Sequence, residues 1–207
     1  PDAWQEIKAG ADQLARDNNV NFDFPFTPIA PGDRLSYGGY DFEVVSLAGH
    51  TSGQCGLVDR NAKLFFCADQ VILGLVPIVI TSGKDQHLLT EYFASVRELA
   101  SDYSGYRFLP GHYGEFTEIK EEADRIIAGY GERCTQLRQA LAESNRPMTL
   151  LELDQALYIQ RMQTYRYSFL FSYLHTWPKL FSCLDWLFET GVIDRTEKDG
   201  VLYWSLR

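Results

Sequence analysis

The sequence predicts an α/β domain over residues 1–130, followed by a small α+β domain over residues 131–207. Two early apolar runs, each interrupted by turn residues, predict β-hairpins, and a helix, a short strand and a second helix follow them. The last third of the chain predicts further helices that lead into one more hairpin. Helices that alternate with strands after a run of hairpins are typical of a layered α/β domain.

Residues 2–18 place apolar side chains at every third or fourth position, which predicts an amphipathic surface helix. A loop rich in aromatic residues and prolines follows over residues 20–31, where it either covers a core edge or lines a cleft. The two hairpins are predicted at residues 33–47 and 55–69, and the glycines at 38–39 form the first turn.

The segment 71–80, VILGLVPIVI, is almost wholly apolar. We expect it either to pack in the core or to form an apolar wall beside a cleft. Apolar residues at helical spacing then predict helices at 85–101 and 117–144, with a short strand at 106–109 between them.

The C-terminal domain is predicted to begin where Gly129 and Gly131 break the long helix. Its predicted elements are helices at 149–158, 165–175 and 179–190 and strands at 192–196 and 201–206. Helices that end in a hairpin resemble a winged helix. The last helix would expose only one cation, Lys179, beside Asp185 and Glu189, so packing or dimerisation is favoured over binding to nucleic acid.

Composition narrows the class of protein. The chain has 207 residues, of which 45% are hydrophobic, and a net charge of −9. Such acidity opposes binding to a phosphate backbone and is compatible with binding cations. The four cysteines form no CxxC pair, and no apolar run reaches the roughly 18 residues that span a bilayer. We therefore expect a cytoplasmic protein without membrane contact.

Three polar residues each follow a short β-prone run: His50 in LAGHTSG, Asp69 in FFCADQ and His112 in LPGHYG. Gly49 and Gly111 allow the backbone to turn sharply beside them. Imidazole and carboxylate are ligands that suit zinc, iron or manganese. Each residue also has an ordinary interpretation, since a single histidine is more often packed or solvated and an aspartate after a strand can cap the next segment.

The order GHTSG, an apolar hairpin ending in CADQ, and PGHYG after a helix resembles the second half of the metallo-β-lactamase superfamily. The resemblance implies half of an αβ/βα sandwich, and the C-terminal part resembles the extension on the glyoxalase II-like branch. It also implies that His50 binds one metal ion, Asp69 bridges two and takes part in catalysis, and His112 binds the second. Thr51 would support His50.

By the same resemblance, the complete protein would hydrolyse a small ester, thioester, lactone or phosphodiester with one or two divalent ions. Zinc is the expected metal, with iron or manganese as alternatives. The superfamily's first metal motif, HxHxDH, does not occur, since the histidines are His50, His87, His112 and His175.

We therefore expect a fragment that starts downstream of that motif and is inactive by itself. It should expose an apolar surface where the first half would pack, and form homo-oligomers through that surface. Two alternatives stay open: a non-catalytic winged-helix module for regulation or scaffolding, and an enzyme whose absent half comes from a partner chain.

Overall fold

The computed structural model describes Gln13 and residues 27–80, 86–159 and 175–207. The elements in chain order are β1 Arg34–Tyr37, β2 Tyr40–Ser46, β3 Cys55–Asp59, β4 Leu64–Ala68, α1 Leu88–Asp102, β5 Arg107–Pro110, α2 Ile119–Ser144, α3 Leu150–Ile159, α4 Trp177–Glu189, β6 Ile193–Lys198 and β7 Val201–Leu206. Nearly all of the helices predicted at 2–18 and 165–175, and part of the loop at 20–31, lie outside the described residues.

Strands β1 to β5 form one sheet in sequential order. The first three pairs are antiparallel, as expected for strands joined by short turns, whereas β4 and β5 are parallel. A parallel pair needs a long crossover, and α1 supplies it. The carboxyl ends of β4 and β5 consequently meet at one edge of the sheet.

The inner face of the sheet forms the core together with α1 and α2. Phe65 of β4 stacks on Phe108 of β5 with ring centroids 5.4 Å apart, and Tyr103 meets Phe65 edge-on at 4.7 Å. Val96 and Ile126 extend this core through the two helices, and both are fully buried. The predicted α/β fold class is therefore confirmed.

Helix α2 runs unbroken over 26 residues, so the break predicted at Gly129 and Gly131 is wrong. A glycine inside a helix costs about 1 kcal/mol relative to alanine, but tertiary packing overrides this local preference. Gly129 lies against Val76, where a Cβ atom would come within 2.5 Å of the valine Cγ2. The glycine thus permits a close contact instead of ending the helix.

The C-terminal elements share the core of the sheet domain. Helix α4 contacts α1, α2, α3 and β6, and a β-bridge joins Met148 to Trp204 of β7. The prediction that α4 exposes Lys179, Asp185 and Glu189 is wrong. Asp185 is buried in an ion pair of 2.8 Å with Arg195, because neighbouring elements cover α4 on several sides. The division at residue 130 and the winged-helix arrangement stay predictions.

The outer face of the sheet is apolar, and none of the described helices covers it. Tyr37 is 83% exposed, and Tyr40 and Phe66 are also exposed. Phe42 lies between these aromatic rings, in a stacked contact with Tyr40 and an edge contact with Phe66. None of the helices in the described ranges is long and apolar enough to cross a membrane.

Candidate metal centre

The three predicted ligands come together at one edge of the sheet. Asp69 directly follows β4, and His112 follows β5 after one glycine. The N–H of Gly111 donates to the carbonyl of Ala68 at 2.9 Å, which ties the two strand ends together. His50 enters from the loop between β2 and β3. Parallel strands thus place two of the ligands side by side, and a hairpin loop adds the third.

Asp69 lies between the two histidines. Its Oδ2 is 3.8 Å from Nε2 of His50 and 3.5 Å from Nε2 of His112. Two ligands that each lie about 2.1 Å from one tetrahedral ion are about 3.4 Å apart. Both distances are therefore close to the separation that a shared cation would impose. The histidines differ in access, since the side chain of His50 is 17% exposed and that of His112 is 65% exposed.

The donor atoms are arranged so that a positive charge would stabilise them. Nδ1–H of His50 donates to the carbonyl of Ile78 at 2.5 Å, so Nε2 is the ring nitrogen that faces the carboxylate. A proton or a cation between Nε2 and Oδ2 would link the two groups. In addition, Oδ1 of Asp69 is buried and has no hydrogen-bond partner among the described residues. A buried carboxylate oxygen without a partner is costly.

The fit to a metal is partial. Among the residues that the structure describes, no group of three or more His, Cys, Asp and Glu side chains could hold a metal ion by itself. The nearby Cys67 is fully buried and its Sγ–H donates to the carbonyl of Val71 at 3.5 Å, and burial raises the pKa of its thiol to about 12. The described donors are accordingly too few for a complete metal site, and further donors would be needed.

The backbone is strained on both sides of the site. Ala68, directly before Asp69, has φ of 47°, and Tyr113, directly after His112, has φ of 65°. Residues other than glycine seldom adopt such angles, and they concentrate at functional sites. At Gly111 an added Cβ would lie 2.5 Å from Oδ1 of Asp69, so this glycine leaves room for the carboxylate.

Gly49 sets the position of His50. Its φ is 128°, and an added Cβ would lie 2.4 Å from Cβ and 2.6 Å from Cα of Tyr92 in α1. The sequence predicts a sharp turn at this glycine. The structure adds the close approach of the loop to the helix backbone, which no side chain larger than hydrogen permits.

The apolar segment 71–80 is partly buried in the core and also borders the site. Val71 and Val79 are fully buried, whereas Ile80 is half-exposed and its N–H donates to the carbonyl of His50 at 2.9 Å. Tyr130 of α2 holds the segment, because its hydroxyl accepts from the N–H of Val79 at 3.0 Å and donates to the carbonyl of Pro77 at 2.8 Å. Helix α2 thereby fixes the backbone that orients His50.

Gln70 is a positioning residue that the sequence patterns do not single out. It is fully buried, and its Nε2 donates to the carbonyl of Ala48 at 3.0 Å and to Oγ of Ser95 at 2.9 Å. The hydroxyl of Tyr92 donates to the backbone carbonyl of Gln70 at 2.7 Å. Gln70 thus joins the loop before His50, the strand end at Asp69 and helix α1. An uncharged polar residue directly after a predicted ligand is the only local signal.

Thr51 contributes through its backbone. Its carbonyl accepts the N–H of Gly49 at 3.4 Å and that of Gln54 at 3.5 Å, which closes the loop after His50. In the described part of the chain, the ring of His50 donates its Nδ1–H to the carbonyl of Ile78 and not to Thr51.

No family model and no curated protein matches the sequence. The structure is similar to that of a metallo-β-lactamase family protein from Thermus thermophilus, with a TM-score of 0.71 and 19% identity, over 99% of this chain and 67% of that one. It is also similar to a β-lactamase domain protein from Burkholderia ambifaria, with a TM-score of 0.73 and 19% identity, over 88% of this chain and 52% of that one.

The chain thus spans between about half and two thirds of the length of these two solved structures. The similarity extends over the five-stranded sheet, the helices on its inner face and the C-terminal elements, since nearly the whole chain is covered in the first comparison. The resemblance inferred from the motifs is thereby confirmed at the level of the fold. The chain has a metallo-β-lactamase-like fold over the part of these two structures that it spans.

Proposed function

We propose that this chain supplies one half of the metal centre of a metal-dependent hydrolase. The observation that carries the proposal is the position of Asp69, whose Oδ2 lies within 3.8 Å of Nε2 of both His50 and His112. Its Oδ1 is buried and has no partner among the residues that the structure describes. A structural aspartate would use its buried oxygen in a hydrogen bond, as buried carboxylates ordinarily do.

His50 and Asp69 would hold one divalent ion, and His112 and Asp69 a second. Bound there, such an ion supplies the Lewis acidity that activates water and polarises a carbonyl or phosphoryl group. The chain's own residues prepare the site: the carbonyl of Ile78 fixes the ring of His50, Gln70 anchors the loops, and the N–H of Ile80 holds the backbone of His50. Zinc is the proposed metal, since imidazole and carboxylate donors suit it, and these donors also accept iron or manganese.

The substrate class that we propose is a small ester, thioester, lactone or phosphodiester. The remaining donors would come from another segment or from a partner chain, so the isolated chain should bind metal without efficient turnover.

Metal content tests the proposal directly. The protein is purified without chelator, and zinc, iron and manganese per chain are measured by plasma mass spectrometry for the wild type, Asp69→Ala and Asp102→Ala. Asp102 is exposed at the end of α1 and serves as the matched control. We expect comparable metal content in the wild type and the control and markedly less metal in Asp69→Ala, since a shared ligand is lost. Equal metal content in all three proteins would overturn the proposal.

A non-catalytic scaffolding role is the second candidate, favoured by the small number of donors that the described residues provide. Binding to nucleic acid is the less compatible version of this role, because Lys179 of α4 is turned inwards onto the carbonyl of Val76. A gel-shift titration that starts at low salt separates nucleic-acid binding from the other scaffolding roles, since a nucleic-acid binder would lose affinity steeply as salt increases.

A further inference from the structure

A polar cavity that is separate from the candidate metal centre lies between α2, α4 and the 71–80 segment. Its volume is about 280 Å³, and its lining comprises Val76, Gly129, Tyr130, Glu132, Arg133 and Lys179. Two of these side chains are cations from different helices. Two positive charges, those of Arg133 and Lys179, therefore face the same cavity.

Neither cation has an ion-pair partner in the described part of the chain. Arg133 donates to Oε1 of Gln136 at 3.3 Å, and Lys179 donates to the carbonyl of Val76. Both side chains are half-buried. Burial lowers the pKa of Arg133, and burial together with the charge of Arg133 lowers the pKa of Lys179. Two partly desolvated like charges without counterions are unfavourable, and proteins ordinarily pair them.

The acidic residues nearby do not neutralise this pair. Glu132 lines the cavity, but it is exposed and forms no ion pair with either cation among the described residues. Asp154 is buried and influences Arg133 electrostatically, yet its Oδ2 accepts from Nε1 of Trp177 at 2.9 Å. Among the described residues, no acidic side chain therefore neutralises the two cations of the cavity through a direct ion pair.

We propose that this cavity binds a small oxyanion, a phosphate or a carboxylate group, between Arg133 and Lys179. The planar guanidinium of Arg133 can donate two parallel hydrogen bonds to such a group, and the ammonium of Lys179 adds a point charge from the facing helix. Gly129 lets α2 approach Val76 closely beside the cavity, since an added Cβ would lie 2.5 Å from Cγ2 of Val76. A free ion and an anionic group of a larger molecule share this chemistry.

Titration of the wild-type chain tests the site. Inorganic phosphate, acetate and chloride are each titrated at constant ionic strength, and binding is followed by calorimetry and by the melting temperature. We expect saturable binding of phosphate or acetate with an increase in melting temperature, and no saturable effect of chloride. Phosphate alone would identify a phosphoryl ligand, and acetate alone a carboxylate. No saturable response to either oxyanion would overturn the proposal.

Variants locate the binding. Arg133→Gln and Lys179→Met should each lower oxyanion affinity about tenfold or more, because a charge-assisted contact is lost. Arg138→Gln, an exposed arginine on the same helix, is the matched control and should bind as the wild type does. Equal affinities in Arg133→Gln and Arg138→Gln would contradict the site.

A second signature separates binding from a structural role. Without oxyanion, Lys179→Met should melt at a higher temperature than the wild type, because it removes an unpaired, partly buried charge. If Lys179→Met melts lower and Arg133→Lys shows no residual oxyanion binding above that of Arg133→Gln, the two cations are structural and the proposal fails.

Discussion

At the scale of single residues, the lack of a side chain at Gly111 leaves room for the carboxylate of Asp69 in the candidate metal centre. A methyl group there would lie 2.5 Å from Oδ1 of Asp69, which is buried and accepts no hydrogen bond in the described part of the chain. We expect Gly111→Ala to rotate the carboxylate away from the histidines and to lower metal affinity about ten- to a hundredfold. Metal titration followed by calorimetry measures the change.

Gly114 offers the matched control for this substitution. It lies three residues further along the same loop, and a Cβ there would meet nothing within 4 Å. Gly114→Ala should therefore bind metal as the wild type does, while both variants keep the wild-type melting temperature within a few degrees. An unchanged affinity in Gly111→Ala would mean that Asp69 does not contribute to the site.

Some residues of the candidate site can be predicted from local sequence patterns, and others cannot. His50, Asp69 and His112 are predictable because each stands beside a turn signal after a β-prone run, a pattern within a few positions of the chain. Gln70 is not, because its hydrogen bonds reach Ala48 and Ser95, 22 and 25 positions away. Contacts of that separation depend on the packing of α1 on the sheet, which no local pattern encodes.

At the scale of elements, the turn between β3 and β4 is fixed by a single carboxylate. Asp59 is buried and accepts the N–H groups of Ala62 at 2.8 Å and of Asn61 and Asp41 at 2.9 Å each. The hydrogen bond from Ala62 contributes most to lowering the pKa of Asp59 below its ordinary value of 3.8. The ionised form is therefore the one that stabilises the hairpin.

The sign of the pH dependence follows from this pKa. Because the folded-state pKa lies below the unfolded one, the stabilisation by Asp59 is complete above about pH 4 and is lost as pH falls through the folded-state pKa. We expect Asp59→Asn to be less stable than the wild type at pH 7, and the difference to shrink below about pH 4. Urea unfolding at pH 3 to 7 measures it, and a difference independent of pH would refute this role.

Elements also show where local patterns fail. The hairpin strands lie within about one residue of their predicted bounds, because turn residues next to one another in the chain define them. The break at Gly129 and the exposure of Asp185 were wrong for a common reason. Each depends on the residue that packs against the helix, which is Val76 for Gly129 and Arg195 for Asp185. Val76 is distant from α2 in sequence, and Arg195 belongs to a separate element, β6.

At the scale of the whole molecule, the two faces of the sheet differ in how the described residues cover them. The helices cover the inner face, whereas the outer face presents an apolar groove of about 570 Å³. The apolar residues that line it are Leu35, Tyr37, Tyr40, Phe42, Leu57, Leu64, Phe66 and Leu109. Burial of apolar area contributes about 25 cal/mol per Å², so covering this face would be favourable. An exposed apolar patch of this kind ordinarily marks an interaction surface.

We expect the chain to associate with itself through this face, and light scattering coupled to size exclusion measures the mass. Phe66→Lys places a charge at the centre of the groove and should shift the protein to a monomer, because burying an unpaired ammonium opposes association. Leu151→Lys is the matched control, since Leu151 is also exposed but lies on α3. The control should keep the wild-type mass. A wild type that stays monomeric over a hundredfold range of concentration would show that another segment, or none, covers the sheet.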